Sequence, residues 1–174
     1  MANVNTKAHV LVRDRFTCQF CGTAVFLAQA IKVLDWYAPD LELWDLHGKR
    51  EPLNTRWATV DHVTSELDGG MDTLDNLVAC CVVCNSRKGG RSVPAPVKRY
   101  VHPDWDGLSS VFLGLAEQYD NQLSTEDRKW RDALVREHIA GRTDHVEQVV
   151  RILRRAKEVG SSALDELVNT ACES

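Results

Sequence analysis

Four of the six cysteines in this sequence are spaced in a way that favours metal binding over disulfides. They form two pairs with the C-x-x-C spacing, Cys18 with Cys21 and Cys81 with Cys84. A C-x-x-C turn directs two thiolates toward one centre. Two such turns complete the tetrahedron that Zn²⁺ takes in closed structural sites. The sequence therefore predicts one structural Zn²⁺ bound by these four residues.

The sequence leaves alternatives to this ligand set open. Cys80 precedes Cys81, and its spacing to Cys84 also falls within the range of a zinc ligand pair. His62 could replace a thiolate, because zinc sites with both cysteine and histidine ligands are common. Redox chemistry at a C-x-x-C pair is disfavoured, since the βαβ setting of a thioredoxin-like motif is absent. We interpret Cys172, near the end of the chain, as a bystander.

A second group of polar residues has the side chains that phosphodiester hydrolysis uses. Asp61 and His62 follow a short hydrophobic stretch, Asn76 comes later, and Asn85 directly follows Cys84. The reaction needs an activated water, neutralised charge on the phosphate and a stabilised leaving oxygen. A neutral imidazole is a suitable general base near pH 7, so His62 is the candidate base.

The order of these motifs resembles that of the HNH endonuclease family, whose core is the ββα-metal fold. The resemblance covers residues 8–91 and is carried by VDHV, GG and NLVACCVVCNSRKG. It implies a metal-dependent enzyme that hydrolyses DNA, in which Asp61 and Asn85 hold the catalytic ion. It also implies that Asn76 braces the loop carrying His62. Carboxylate and amide oxygens favour Mg²⁺ or Mn²⁺ over softer ions.

A second DHV tripeptide shows that an Asp-His pair alone does not identify a catalytic site. It lies at residues 144–146, where no cysteine pair or asparagine follows, and we predict that it forms the first turn of a helix after Thr143. His102 and His138 are likewise interpreted as surface or packing residues. Asn76 has a simpler alternative as a turn residue.

Basic residues cluster after the second cysteine pair and predict a DNA-binding face. The net charge is −4, which is not typical of a protein that coats nucleic acid, but a local basic face can still bind DNA. Residues 85–101 contain no acid, and we expect Arg87, Lys88 and Arg91 to contact phosphate oxygens. The alternative for these cations is that they are solvated charges of a helix.

Hydrophobic patterning predicts an α+β fold: a ββα-metal HNH core with a four-cysteine zinc site, plus an α-helical C-terminal region. A strand is expected near 58–63, residues 74–81 run apolar toward the second cysteine pair, and a hairpin is plausible within 41–58. Helices are expected in seven stretches, at 8–15, 24–37, 82–88, 108–123, 125–140, 143–158 and 161–172.

The change in pattern near residue 100 predicts two regions. Residues 1–100 would form the nuclease core, and residues 101–174 a helical extension that could pack on the core or form a homodimer. The HPDWDGLS stretch at 102–109 resembles one that follows the HNH core in some phage and bacterial proteins.

The segment between Cys21 and Asp61 is longer than in compact family members. Its aromatic residues are expected to belong to the core, with base stacking as the alternative, and its cations could touch DNA. The aromatic residues are Trp36, Tyr37, Trp44 and Trp57, and the cations are Lys49, Arg50 and Arg56.

Composition leaves a nuclease and a binding module as the classes to compare. Apolar residues make up 44 %, enough for a hydrophobic core, and charged residues 26 %. No apolar run is long enough for a membrane span, and the polar N-terminus favours a cytoplasmic protein. The alternatives to an endonuclease are a catalytically silent, zinc-stabilised DNA-binding or scaffold protein and a zinc-ribbon adaptor with a helical tail. Neither alternative needs the Asp, His and Asn set.

Overall fold

A computed structural model describes residues 2–43, 55–93, 99–159 and 167–168 of the chain. Six helices and one two-stranded antiparallel sheet lie within them, which confirms the predicted α+β class. The elements in chain order are α1 (Val4–Arg13), α2 (Ala28–Tyr37), β1 (Ala58–His62), β2 (Leu77–Cys81), α3 (Val82–Lys88), α4 (Ser109–Ala116), α5 (Thr125–Arg136) and α6 (Asp144–Val159). None of the helices in this part of the chain has the length and apolar character needed to cross a bilayer.

The sheet and α3 form the ββα unit that the motif order predicted. Ala58 pairs with Cys81 at one end of the ladder, and His62 pairs with Leu77 at the other. Helix α3 begins directly after β2, with Cys81 as its N-cap, and ends at Lys88 before Gly89, as the sequence indicated. The ββα unit therefore places the second cysteine pair at a strand-to-helix junction and His62 at the far end of the ladder.

Two of the predicted helix boundaries are wrong at their first turns. Helix α1 begins earlier than residue 8, because the Asn3 side chain caps it by accepting a hydrogen bond from the Thr6 amide at 3.0 Å. Helix α2 begins later than residue 24. Extended backbone precedes it, and Phe26 forms a parallel bridge with Trp57. Buried apolar side chains there favour strand-like pairing over a helix with one polar face.

The tail helices form, although the first two end earlier than predicted. Helix α4 ends at Ala116, and a 3₁₀ turn at Asp120–Gln122 separates it from α5. Helix α5 begins with a reciprocal capping box between Ser124 and Asp127, the start that the sequence indicated. Of the helix predicted at 161–172, only residues 167–168 are described, and they are helical.

One hydrophobic core joins the two predicted regions. Helix α1 packs on α5 and α2 packs on α4, so the core includes Leu11 and Ile31 from the first region and Phe112 and Leu134 from the second. The aromatics of the long segment belong to the margin of this core, as expected. Those within the described residues are Trp36, Tyr37 and Trp57. The predicted hairpin lies largely in residues 44–54, outside the described residues, as do Trp44, Lys49 and Arg50.

Candidate functional site

The two C-x-x-C pairs meet in one cluster. The sulfur atoms of Cys18, Cys21, Cys81 and Cys84 all lie within 4.8 Å of one another, and Cys21 Sγ is 4.0 Å from Cys81 Sγ. A tetrahedron with Zn–S bonds of about 2.3 Å would place its sulfurs roughly 3.8 Å apart. The arrangement therefore fits a four-cysteine zinc site.

The structure distinguishes Cys81 from Cys80. Successive side chains of a strand point to opposite faces, so only one of the two can face the first pair. Cys80 is fully buried, and its sulfur lies 3.0 Å from Thr59 Oγ1 on the neighbouring strand. His62 is not part of the cysteine cluster. The predicted ligand set is therefore the one that the geometry assembles.

A buried polar network holds the first cysteine pair against β2. The Gln19 amide donates to Ala79 O at 2.9 Å, and the Asp14 carboxylate accepts from the Ala79 amide at 2.8 Å. Arg13 donates to Leu77 O at 2.7 Å. His102 Nε2 lies 2.9 Å from Gly22 O, which gives this histidine a packing role beside the C-x-x-C turn. These hydrogen bonds therefore contribute, together with any bound metal, to the relative position of the two cysteine pairs.

The thiols differ in their readiness to ionise. Burial opposes ionisation of Cys18, but backbone hydrogen bonds from Cys81, Cys21 and Phe20 outweigh it and lower the pKa of Cys18. Burial raises the pKa of Cys21 to about 11 and also raises the pKa of Cys84. Zinc binding requires thiolates, so a bound cation must stabilise the charge on Cys21 and Cys84.

His62 lies at the end of β1 among oxygen atoms. Its Nε2 is 2.7 Å from Asp72 Oδ1 and 3.7 Å from Glu66 Oε1, and its side chain is 14 % exposed. Atoms of these three residues lie within 4.8 Å of one another. No motif singles out Glu66 or Asp72, although Asp72 follows the Gly-Gly turn closely.

Asp61 and Asn85 lie on the side of β1 that α3 covers. Asp61 and Thr59 share one face of the strand, and Asn85 Nδ2 donates to Thr59 Oγ1 at 3.2 Å. Asp61 Oδ1 accepts from the His62 amide at 2.8 Å. Asp61 Oδ2 is buried and forms an ion pair with Lys88 Nζ at 3.0 Å.

One cleft of about 410 Å³ brings these groups together. Asp61, His62 and Asn85 line it. Lys7 on α1 and Trp130 on α5 also line it. No motif marked those two residues, because they reach the cleft only through the packing of α1 on α5.

Asn76 braces the loop between the two strands. Its Oδ1 accepts from the Thr64 amide at 2.8 Å, and its Nδ2 donates to Thr64 O and to Met71 O, both at 3.0 Å. Gly70 lies under this clamp, where a Cβ would be 1.9 Å from Thr64 O. Asn76 is therefore more than a simple turn residue, because it ties both ends of the loop together.

The three predicted DNA-contacting cations have different surroundings. Arg87 is exposed. Arg91 is exposed but donates to Arg87 O at 2.7 Å and to Lys88 O at 3.1 Å, which satisfies carbonyls at the end of α3. Lys88 is buried and paired with Asp61, which differs from the solvent-facing position expected of it. Burial of its aliphatic stem beside a carboxylate accounts for the difference.

The second DHV tripeptide lies in a different setting, as predicted. Asp144 and His145 stand in the first turn of α6. His145 lines another cleft, of about 610 Å³, with Arg142 and Trp105 among its walls, and none of the four clustered cysteines borders that cleft.

One comparison with known proteins matches the segment that contains the ββα unit. The HNH endonuclease family model matches residues 48–91, which include β1, β2 and α3. No curated protein and no solved structure matches the chain. Residues 48–91 are thus similar to an HNH endonuclease domain. The matched segment contains Asp61, His62 and Asn85 but not Cys18 and Cys21. The fold places those two cysteines beside Cys81 and Cys84.

Proposed function

We propose that this protein is a metal-dependent DNA endonuclease in which His62 activates the attacking water and Asp61 and Asn85 hold the catalytic ion. The observation that carries the proposal is the shared cleft. The three residues reach it from a strand end and from α3 within the segment that matches the HNH family.

His62 suits the role of general base. An imidazole takes up a proton near neutral pH, and its side chain lies in the cleft with limited access to solvent. It is the histidine that the ββα unit presents there, whereas His145 stands on a helix elsewhere.

The surroundings of Asp61 fit a cation. Asp61 Oδ2 is buried, and a buried carboxylate oxygen needs a compensating positive charge, which the Lys88 ammonium at 3.0 Å supplies and a divalent ion could supply in its place. Asn85 Nδ2 donates to Thr59, so Oδ1 is the atom of Asn85 left for a ligand. These hard oxygen atoms favour Mg²⁺ or Mn²⁺. When bound, the ion would neutralise charge on the phosphate and on the leaving oxygen.

The four-cysteine cluster would hold Zn²⁺ in a structural role. Four thiolates complete the coordination shell and leave no position for water. Cys84 directly precedes Asn85 on α3, so a zinc ion there would fix the start of the helix that carries a proposed ligand of the catalytic ion. The proposed catalytic geometry therefore depends on the zinc site.

A catalytically silent DNA-binding or scaffold protein is the alternative, and one contact favours it. The Lys88 ammonium lies 3.0 Å from Asp61 Oδ2 and supplies the positive charge that a divalent ion would otherwise provide. An endonuclease requires that a divalent ion compete with this ion pair, whereas a silent protein keeps it. We favour the enzyme because Asp61, His62 and Asn85 line one cleft within the segment that matches the HNH family.

Plasmid cleavage tests the proposal. Supercoiled plasmid should be converted first to open circle in Mg²⁺ or Mn²⁺, because one ββα site can cut one strand per visit. Linear product should lag at low enzyme, and EDTA should stop the reaction under conditions that leave zinc bound.

The same assay separates the competing outcomes when protein size is measured at the assay concentration. No cleavage with either ion would favour the silent protein. Linear DNA appearing directly from a monomer would contradict single-site nicking. Direct linear product from a dimer would support pairing through the predicted helical region, 101–174.

DNA binding should depend on Arg87 and Arg91. Because each phosphate contact releases about one counterion, replacing both arginines by glutamine should reduce the slope of log affinity against log salt by up to about two units. The measurement is fluorescence anisotropy with labelled duplex in EDTA. Replacing Arg151 and Arg155 on α6, both exposed, removes the same charge and should leave the slope unchanged. Equal effects from both double variants would show that net charge matters rather than this face.

A further inference from the structure

One ring nitrogen of His62, Nε2, faces a carboxylate, and this leaves the other ring nitrogen, Nδ1, as the one that can act as base. Nε2 lies 2.7 Å from Asp72 Oδ1, a normal distance for a strong hydrogen bond. Glu66 Oε1 approaches the same nitrogen at 3.7 Å. Asp72 stands in the loop between β1 and β2 and belongs to none of the roles assigned above.

We propose that Asp72 is a positioning residue that holds the His62 ring with its proton on Nε2, so that Nδ1 receives the proton of the attacking water. The inference rests on the proposed function, in which His62 is the base. In the step itself, one water proton passes to Nδ1 and the water oxygen bonds to phosphorus. The bond from phosphorus to the leaving oxygen breaks, and that oxygen takes a proton from solvent.

The tautomer follows from counting donors and acceptors. A neutral imidazole has one N–H donor and one acceptor nitrogen, whereas an ionised carboxylate only accepts hydrogen bonds. Asp72 is ionised near neutral pH, as is ordinary for an aspartate. The nitrogen that faces it must therefore carry the proton, and the lone pair is left on Nδ1. The opposite tautomer would set two acceptors against each other at 2.7 Å.

The loop that carries Asp72 is fixed to the strand end that carries His62. Asn76 clamps Thr64 through two hydrogen bonds and holds Met71 O, the carbonyl directly before Asp72. Gly70 allows the close approach of Thr64 O, since a Cβ would lie 1.9 Å away. By holding the loop in place, Asn76 thus helps to position Asp72 beside His62. This is a specific role for Asn76.

The tautomer can be measured without any catalysis. Protein labelled with ¹⁵N-histidine, zinc-loaded and without added Mg²⁺, should show the His62 signal in the pattern of a proton on Nε2. The signal is assigned by its absence from His62→Gln. In Asp72→Asn the side-chain amide can donate as well as accept, so the pattern should shift toward a mixture of tautomers.

Kinetics provide the second measurement. Asp72→Asn should lower kcat by roughly 10- to 10²-fold with KM nearly unchanged, less than the whole contribution of a general base because Asp72 is solvent-accessible. Asp75→Asn removes the same charge from an exposed residue of the same loop and should change neither tautomer nor kcat. Zinc content and the thermal midpoint of each variant check that the fold is intact.

The possible outcomes separate the inference from the proposed function. A proton on Nδ1 in the wild type, or an Asp72→Asn variant with unchanged tautomer and kcat, overturns the positioning role. Retained cleavage in a His62→Ala variant overturns the choice of base instead. In that case an Asp72-dependent tautomer would still support the hydrogen bond but not its catalytic use.

Discussion

Replacing His62 by alanine should slow DNA cleavage by at least about 10²-fold, the lower end of what a general base contributes. The variant removes the imidazole while leaving Asp61 and Asn85 in the cleft, so the ion and the phosphate can still bind. His62 is mostly buried but makes its contacts with loop side chains and not with the cysteine cluster. Zinc content, the thermal midpoint and DNA affinity should therefore stay close to those of the wild type, and nicking rate on supercoiled plasmid is the measurement.

A matched control is available in the second DHV tripeptide. His145 has the same sequence neighbours as His62 but stands in the first turn of α6. His145→Ala should cleave at the wild-type rate, because local sequence does not make a base without the strand end and the ββα cleft. If both variants lose activity equally, the site has been misplaced. If neither does, a group other than these two histidines activates the water.

The sequence predicted those parts of the site that depend on residues close to one another in the chain. Two C-x-x-C pairs predicted a four-sulfur centre, and α3 was predicted over Val82–Lys88 because Gly89 ends it. The first strand was predicted to within a residue because its side chains alternate and Gly69 and Gly70 follow it, whereas the second was indicated only as an apolar run before Cys81. The choice between Cys80 and Cys81 stayed open, because both spacings satisfy a zinc pair and only strand direction separates them.

The parts that sequence could not supply depend on contacts between distant segments. Nothing near Lys88 shows that it will fold inward to meet Asp61 rather than face solvent. Lys7 and Trp130 line the cleft because α1 packs on α5, which no local pattern encodes. Asp72 was a plain acid after a glycine turn until the fold placed it 2.7 Å from His62.

Loss of zinc should have the largest effect on stability, and two neighbouring cysteines test it. Cys81→Ser should lose the ion and unfold the ββα unit, whereas Cys80→Ser should keep it. Free energies of structural zinc binding are about 10–16 kcal/mol in small zinc domains, comparable to or larger than the stability of a typical domain. Metal analysis of freshly purified protein and a thermal melt measure the two quantities.

The contrast follows from what each sulfur touches. Cys81 caps α3 and lies 4.0 Å from Cys21, so its replacement opens the centre that joins the Cys18–Cys21 turn to β2. The Cys80 sulfur faces Thr59 Oγ1 at 3.0 Å, so a serine hydroxyl there already has a partner, and the cost should be about 0.5–3 kcal/mol. Zinc lost from the Cys80 variant and kept by the Cys81 variant would reverse the ligand assignment. A wild-type protein purified without zinc would refute the structural site altogether. In that case packing alone would hold Asn85, one residue after Cys84, in its place.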